Sequence, residues 1–236
     1  MDLTHKKLLV ISPHPDDEVL GCAGLIQKVK KGGGKVYILY LTVGDTRDFS
    51  EKGSSTKSER LREIDKVAKY LKVDKFHIGF PGDKYHLKLD AHGQHEVMKL
   101  VERDSPVSVE KIKPDMVVFP SLYSYNQDHT LTAKAIHAAL RPTEFNSKHF
   151  VKNVFAFEVP ADGWSLYEQR VPNLFLSLTK SEMNVKIHAL KLYESQYRPH
   201  PNPRSAEAVE ALALFRGTHT MSKYAEAFHI IRIAYV

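Results

Sequence analysis

The sequence lacks several features that would place it in common functional classes. Cys22 is its only cysteine, which excludes an internal disulfide and a zinc site made of cysteines. No apolar run approaches the ~20 residues of a membrane-spanning helix. Pro13 ends the apolar stretch near the start before it reaches the ~7 residues of a secretory signal core. We therefore expect a cytoplasmic protein with no stable membrane insertion.

The composition argues against nucleic-acid binding and in favour of a globular domain. The formal net charge is +6, but the lysines are scattered along the chain and are not interleaved with aromatic side chains. Apolar residues make up 42% of the 236 residues, which is enough for a substantial core. We expect one domain over residues 1–236, in which residues 1–145 form the core and residues 146–236 wall the functional site. Homo-oligomer formation stays open.

Short apolar runs alternate with stretches whose apolar residues recur at helical spacing. Such runs are typical of strands that are buried on both faces. The alternation predicts an α/β fold with a mostly parallel sheet, right-handed crossovers and helices on both faces. The C-terminal third is less periodic, and we expect it to form a small lobe. The predicted strands cover residues 7–12, 35–42, 75–79, 115–119, 150–159, 173–178 and 228–235.

The most informative stretch is the turn after the first predicted strand. It contains an imidazole, His14, followed closely by three adjacent acids, Asp16, Asp17 and Glu18. Burial of unpaired carboxylates is costly, and a bound cation would offset that cost. His14 and Asp17 offer a nitrogen and an oxygen ligand of the kind that zinc accepts. The alternative is that the acids only favour the positive N-terminus of the next helix, which leaves the histidine unexplained.

A second turn of the same kind follows the fourth predicted strand. Asp128 and His129 lie there, at the start of another predicted helix. In open α/β sheets, ligands bind beyond the carboxyl ends of the strands, where two such turns can meet. His14, Asp17 and His129 would then provide three protein ligands and leave a fourth position for water. That is the arrangement of a catalytic zinc site and not of a closed structural one.

Four short motifs of the chain are distinctive. They are Pro-His-Pro-Asp-Asp-Glu at 13–18, Arg-Leu-Arg-Glu at 60–63, Asn-Gln-Asp-His at 126–129 and Ala-Glu-Ala-Phe at 225–228. Together they resemble the motifs of the PIG-L/LmbE-like zinc-dependent N-acetyl deacetylases, whose signature is (A/P)HPDDE. The first motif is specific, and the resemblance spans nearly the whole chain.

The resemblance implies a Rossmann-like α/β fold without a dinucleotide. It also implies a hydrolase that removes an acetyl or larger acyl group from the 2-amino group of a glucosamine-type sugar or its conjugate. Asp16 would be the general base, Asp128 would support the site, and Arg60 would contact the substrate. One Zn²⁺ per chain is the implied cofactor, although such a site does not choose its metal by affinity alone, so another divalent metal stays open. The implied metal ligands are His14, Asp17 and His129.

The chain departs from the family at Asn126, where members often have a histidine that assists the oxyanion or the leaving amine. Asn126 can donate a hydrogen bond but cannot titrate. Either it takes part in the reaction directly, or it is an ordinary turn residue and Asp16 handles both proton steps. A third alternative is help from Tyr123, Tyr125 or a histidine of the C-terminal lobe.

The substrate-binding residues are less well defined by the sequence. We expect Arg60, Arg47, Tyr125 and Glu226 to contact the substrate. Arg60 and Glu63 could instead form a surface ion pair, and Glu226 could instead cap a turn. Four aromatic residues could stack on a sugar ring, although core packing is the better expectation for most of them. These residues are Trp164, Tyr167, Phe175 and Phe215.

Two other functions remain compatible with the motifs. The chain could be a zinc amidase that acts on a non-sugar amide, since relatives can cut other amides. It could also be a non-catalytic Rossmann-like module that binds a sugar or a nucleotide. The nucleotide version predicts a glycine-rich turn after the first strand, whereas the chain has prolines and acids there, which would repel phosphate.

Overall fold

A seven-stranded sheet forms the centre of the fold, and a two-stranded ribbon is separate from it. The structure, a computed structural model, describes residues 1–47, 52–144, 147–166 and 171–235. Within these residues no helix has the length and apolar character needed to cross a membrane. The strands are β1 (Lys7–Ser12), β2 (Lys35–Val43), β3 (Thr46–Arg47), β4 (Ser54–Ser55), β5 (Lys75–Pro81), β6 (Met116–Pro120), β7 (Asn153–Phe157), β8 (Leu174–Leu178) and β9 (Tyr224–Ile233).

The order of the strands brings the two informative turns together. The sheet runs β5-β2-β1-β6-β7-β9-β8. The first five strands of this order are parallel, and β9 is antiparallel to both β7 and β8. The chain leaves β1 toward β2 and β5 and then returns to β6 on the other side. The strands β1 and β6 therefore flank the switch point at which such sheets bind ligands. The prediction of a mostly parallel α/β sheet is confirmed.

Helices cover both faces of the sheet because successive side chains of a strand point to opposite faces. In β1, Leu8 and Val10 pack into one apolar core, and Leu9 and Ile11 pack into the other. Both faces of the strand are thus dry, which explains its continuous apolar sequence. The helices are α1 (Asp17–Lys31), α2 (Lys57–Tyr70), α3 (Gln94–Lys99), α4 (Val109–Ile112), α5 (Gln127–Ala139), α6 (Lys180–Lys191) and α7 (Ala206–Gly217).

Helix α1 is kinked at Cys22, and the carboxylate of Glu226 in β9 accepts backbone N–H groups that the kink leaves without helical partners. Cys22 has non-helical dihedral angles there (φ −148°, ψ 24°), and a helix that restarts has N–H groups without intrahelical acceptors. Glu226 accepts from the N–H of Gly24 at 2.7 Å and from the N–H of Leu25 at 2.9 Å. Lys186 of α6 donates to the same carboxylate at 2.7 Å. A Cβ atom at position 24 would lie 2.9 Å from this carboxylate, so the close approach requires glycine.

Candidate metal centre

The turn after β1 is held by its own side chains. Ser12 Oγ donates to the carbonyl oxygen of His14 at 2.7 Å, and the N–H of His14 donates to Asp17 Oδ2 at 2.9 Å. Asp16 lies inside this turn with a φ of 110°, in the left-handed region that non-glycine residues rarely adopt. Such strain persists only where the surrounding structure imposes it, and it clusters at functional sites.

Three buried side chains from the two turns come together as potential metal ligands. Asp17 Oδ2 lies 3.4 Å from His14 Nδ1 and 3.1 Å from His129 Nε2. The ligand atoms of all three residues lie within 4.8 Å of one another. We call His14, Asp17 and His129 the ligand cluster. Two imidazole nitrogens and one carboxylate oxygen form a donor set that zinc accepts, so the residues present fit such a metal.

The charges in the ligand cluster favour a bound cation. Burial alone would raise the pKa of Asp17, but the charge and hydrogen bond of His129 and the hydrogen bond with His14 bring it well below its usual range. Burial alone would lower the pKa of His14, but its hydrogen bonds with Asp128 and Asp17 raise it to about 9. The carboxylates thus hold a positive charge at this place. A divalent metal would supply that charge and leave the imidazoles neutral.

Asp128 holds His14 in place from the second turn. Its Oδ2 lies 2.9 Å from Nε2 of His14, and its Oδ1 accepts the N–H of Leu89 at 3.0 Å. A histidine that donates one ring N–H to a carboxylate is fixed in tautomer and orientation, which leaves Nδ1 of His14 for a metal. Asn126 caps α5, because its Oδ1 accepts the N–H of Asp128 at 2.9 Å. The side-chain carbonyl oxygen of Asn126 therefore has a structural task.

Asp16 lies beside the ligand cluster with a carboxylate that is only partly satisfied. Its buried Oδ2 makes no hydrogen bond to the described residues. The Nε of Arg204 lies 3.3 Å from this oxygen, which is close enough for an ion pair although the two groups are not aligned for a hydrogen bond. Burial raises the pKa of Asp16 to about 6, although the charges of Arg204 and Arg60 oppose the rise. A carboxylate of this kind is suited to accept and return a proton near neutral pH.

Sequence reasoning missed His86, whose ring packs edge-on against His14 with the ring centroids 5.5 Å apart. Its Nε2 lies 2.7 Å from Nη1 of Arg60. A guanidinium only donates, so Nε2 accepts and Nδ1–H donates to Thr42 Oγ1 at 3.1 Å. Burial and the charge of Arg60 lower the pKa of His86 to about 2, which keeps the ring neutral. His86 follows β5 at the same sheet edge as both turns, and that position is the signal that points to it.

Asp162 is a second residue that sequence reasoning missed. It lies in the short 3₁₀ helix Pro160–Gly163 after β7, again beyond the carboxyl end of a parallel strand. Its Oδ2 accepts the N–H of Val159 at 3.0 Å. Burial raises the pKa of Asp162 to about 6, and the charge of His129 opposes this rise. The end of a fourth parallel strand, β7, therefore lies near the ligand cluster, besides those of β1, β6 and β5.

A cavity of about 120 Å³ opens onto the ligand cluster, and of the predicted substrate-binding residues Tyr125 lines it. Asp17, His129, Asn126, Tyr125 and Arg204 are among the residues that line it. Arg60 is buried and lies close enough to Asp16 for its charge to act on the pKa of that carboxyl. Arg47 is exposed on β3 of the two-stranded ribbon and does not line this cavity.

Glu226 and Glu63 have structural partners in place of the predicted ones. The last strand begins at Tyr224 rather than at residue 228, so Glu226 lies within a strand and its carboxylate contacts α1 and Lys186. We therefore do not retain it as a substrate-binding residue. Glu63 accepts from the N–H and the hydroxyl of Ser195 at 2.7 and 2.6 Å, which connects α2 to the segment after α6. The interpretation of Arg60 and Glu63 as a surface ion pair is wrong, since both are buried.

The aromatic candidates are less buried than core packing would require. Trp164 and Phe215 are 82% and 58% exposed, so the expectation of core packing is wrong for both. Phe175 is half-buried in β8 and stacks on His219, with ring centroids 4.4 Å apart. Tyr167 lies outside the described residues.

Comparisons with known proteins place this geometry in a family context. Residues 9–140 match the family model described as PIG-L: GlcNAc-PI de-N-acetylase. The chain is 29% identical over 233 residues to diacetylchitobiose deacetylase of Thermococcus kodakarensis, and the match covers 96% of this chain and 83% of that protein.

Two solved structures share this fold, and one of them is named for a reaction other than deacetylation. The conserved protein TT1542 from Thermus thermophilus has a TM-score of 0.73 and 26% identity, with coverage of 98% of this chain and 97% of that one. GalB, the 4-carboxy-2-hydroxymuconate hydratase from Pseudomonas putida, has a TM-score of 0.70 and 21% identity, with coverage of 98% of both chains. A hydratase shares the fold, so the fold alone does not determine the reaction.

Proposed function

The chain belongs to the PIG-L family of de-N-acetylases, and we propose on that basis that it removes an N-acetyl group from an amino sugar or its conjugate. The family description names an N-acetylglucosamine conjugate, and the sequence relative is named for an N-acetylated disaccharide. The observation that carries the proposal is the ligand cluster, whose three ligand atoms lie within 4.8 Å of one another beside the carboxylate of Asp16.

The metal would be held by Nδ1 of His14, Oδ2 of Asp17 and Nε2 of His129. Three protein ligands leave a position for water or substrate, as in catalytic zinc sites. When bound, the metal would polarise the acyl carbonyl and lower the pKa of a water from 15.7 to about 7. We propose one Zn²⁺ per chain, and other divalent metals suit the same donors. Asp128 would keep the imidazole of His14 oriented toward that metal.

Asp16 would serve as the general base and then as the general acid. An amide is a poor electrophile and its nitrogen a poor leaving group, so a proton must leave the attacking water and reach the departing amine. The carboxylate of Asp16 lies beside the ligand cluster with its Oδ2 free of hydrogen bonds among the described residues, so it could accept the first proton and deliver it to the nitrogen in the second step. The one carboxylate thereby covers both steps, which agrees with the absence of a titrating group at Asn126.

Other side chains would orient the substrate at the mouth of the cavity. Arg60 has a buried Nε with no hydrogen-bond partner among the described residues, while its Nη1 is engaged by His86. We propose that this free N–H contacts the substrate, because a buried donor without a partner costs about 1–3 kcal/mol. The NH₂ group of Asn126 and the ring of Tyr125 are available from the other side of the cavity.

We propose a single functional domain in which residues 146–236 wall the site built by residues 1–145. Support comes from the lining of the small cavity, which includes Val159, Pro160 and Ala161 as well as residues 202–204. Arg204 in this segment also contacts Asp16. The cytoplasmic location and the formation of a homo-oligomer stay predictions.

The test is acetate release from a panel of N-acetylglucosamine conjugates by the zinc-loaded protein and by Asp16→Asn. We expect wild type to release acetate and Asp16→Asn to lose about 10²–10⁴-fold in kcat with its zinc content unchanged. Asp74→Asn changes an acid that pairs with Lys30 outside the ligand cluster and serves as the matched control, with activity and zinc content expected to stay at wild-type values.

Three other outcomes would contradict parts of the proposal. Release of acid only from non-sugar amides would leave a zinc amidase of different specificity. Ligand binding without turnover in either protein would leave a binding module. Equal activity of wild type and Asp16→Asn would remove Asp16 from the mechanism.

A further inference from the structure

A groove of about 850 Å³ lies next to the small cavity at the ligand cluster, and no part of the proposed reaction uses it. Ser124 and Tyr125 line both spaces, so the groove is continuous with the site. Its volume is in the range of pockets that hold drug-sized ligands. The remaining lining residues are Asp90, Gln127, Thr130, Leu131, Lys134, Gly163, Trp164, Ser165 and Leu166.

Two elements connect the groove rigidly to the ligand cluster. Helix α5 contributes His129 to the cluster, and its positions 127, 130, 131 and 134 line the groove. That spacing of three, four and seven residues describes one continuous face of a helix. The 3₁₀ helix Pro160–Gly163 also lines both spaces, because Pro160 lies at the small cavity and Gly163 lies at the groove. A molecule in the groove is therefore held at a fixed position relative to the reacting group.

The surface of the groove combines aromatic faces with polar side chains. Trp164 is 82% exposed and Tyr125 is 54% exposed, and single exposed aromatics are unremarkable, but these two share one concave space with Leu166. Around them lie the carboxylate of Asp90 and the ammonium of Lys134. Both charged groups are exposed, so they can reach the hydroxyls of a ligand at the rim of the groove. A sugar ring has one apolar C–H face and a rim of hydroxyls, and it matches both features.

We propose that this groove is a subsite for a second sugar ring, attached to the N-acetylated ring that occupies the site. The proposal rests on the proposed function and narrows it to substrates of at least two rings. Trp164 would provide the stacking face, and the polar groups of the α5 face would bind hydroxyls. Binding energy from this remote ring would then be available for orienting the acetamido group.

The first experiment uses the fact that Trp164 is the only tryptophan of the chain. We expect its fluorescence to change on titration with chitobiose or chitotriose and to stay constant with glucosamine at equal concentration. This readout needs no turnover, so it stands even if no acetate is released from any substrate. Constant fluorescence with all three sugars would overturn the proposal.

The second experiment compares acetate release from N-acetylglucosamine and from N,N′-diacetylchitobiose. We expect Trp164→Ala to lower kcat/KM for the disaccharide by about 3- to 10-fold, the size of one aromatic contact, and to leave the monosaccharide value unchanged. Trp164→Phe should retain most of the disaccharide activity. Tyr235→Ala removes an aromatic that is 97% exposed outside the groove and should change neither value.

The two experiments separate the failure of the subsite from the failure of the proposed function. An equal loss on both substrates with Trp164→Ala, or no loss on either, would overturn the subsite and leave the deacetylase standing. A fluorescence response to the oligosaccharides without any acetate release would retain the subsite and reject the deacetylase.

Discussion

Two buried carboxylate centres contact α1, one at its start and one at its kink, and they differ in how completely their polar atoms are paired. At Glu226, two backbone N–H groups and the ammonium of Lys186 are all within 2.9 Å of the carboxylate. At the ligand cluster, the buried Oδ2 of Asp16 and Nδ1 of His129 have no hydrogen-bond partner among the described residues. Both centres are equally dry, so burial alone does not separate them.

The difference in pairing indicates what each centre does. A buried charge that is fully paired within the chain fixes one packing arrangement, which suits the kink of α1. Polar atoms left unpaired in a native interior are rare and call for a specific explanation such as an ion or a catalytic role. The same type of residue, an acid beside a basic group, is structural in one place and a candidate for chemistry in the other. Four predictions test this contrast.

The largest effect is expected from His129→Ala. With two ligands left, we expect loss of stoichiometric zinc, measured by elemental analysis, and a loss of activity beyond the about 10⁴-fold limit of a single general base. The fold should persist, since apolar cores on both faces of the sheet are untouched. Retention of zinc at wild-type affinity would show that His129 is not a ligand.

Lys186→Met is the matching change in the other centre. It leaves the charge of Glu226 buried without its cation, and we expect a loss of about 3–5 kcal/mol in the free energy of unfolding, measured by urea denaturation. The double variant Lys186→Met, Glu226→Gln should recover part of that loss because no charge is left. Zinc content and kcat of the folded fraction should stay at wild-type values. A loss of zinc in either variant would remove the distinction between the centres.

Glu18 lies buried in the first turn of α1, and its charge should make stability depend on pH. Burial raises its pKa from 4.5 to about 7, although hydrogen bonds from Tyr193 and Tyr40 oppose the rise. A raised pKa means that the folded protein binds the proton more tightly, so this contribution is complete below pH 4.5 and disappears as the pH rises through about 7. Its size is roughly 3 kcal/mol.

The measurement is the free energy of unfolding of the zinc-free protein between about pH 4.5 and 8, for wild type and Glu18→Gln. The glutamine has nearly the same shape but cannot ionise, so Glu18→Gln should lack this component of the fall in stability. A difference between the two proteins that stays constant with pH would show that the carboxyl of Glu18 does not change its protonation on folding in this range.

The smallest effect is expected from Asp128→Asn. An amide can accept from His14 or from Leu89 but not from both, since one of its ends is a donor. We expect zinc affinity to fall by about 10- to 100-fold, measured by competition with a chelator. Asn126→Ala is the control, because it removes the cap of the same helix at a cost of about 1 kcal/mol and leaves the carboxylate in place. Equal zinc affinity in both variants would reduce Asp128 to a structural role.

Patterns that are local in the sequence were enough to predict the first strand and the turn that follows it. The bounds of β1 agree with the predicted strand at residues 7–12, because a continuous apolar run and the proline that follows it act over a few residues. The meeting of His14 with His129 also followed from the sequence, since parallel strands on either side of a switch point end at one edge. Chain connectivity alone supplies that information.

Contacts between distant segments explain where the predictions were incomplete. Glu226 was proposed as a substrate residue because it is an acid in an otherwise small and apolar run, whereas it lies in a strand that starts at Tyr224. His86 and Asp162 stand in segments with no motif of their own, and only the packing of β5 and β7 beside β1 and β6 brings them near the ligand cluster. The contact between Arg204 and Asp16 joins two segments that are far apart in the sequence.

The sequence by itself determined the α/β alternation, the two acid-containing turns and the identity of the potential metal ligands. These depend on periodicity and on chemistry that is local to a few residues. Only the tertiary structure decided which acids are paired and which are left open, and which aromatic faces surround the groove. Pairing in a dry interior depends on atoms that approach within about 3 Å, and a linear sequence does not specify which distant atoms do so.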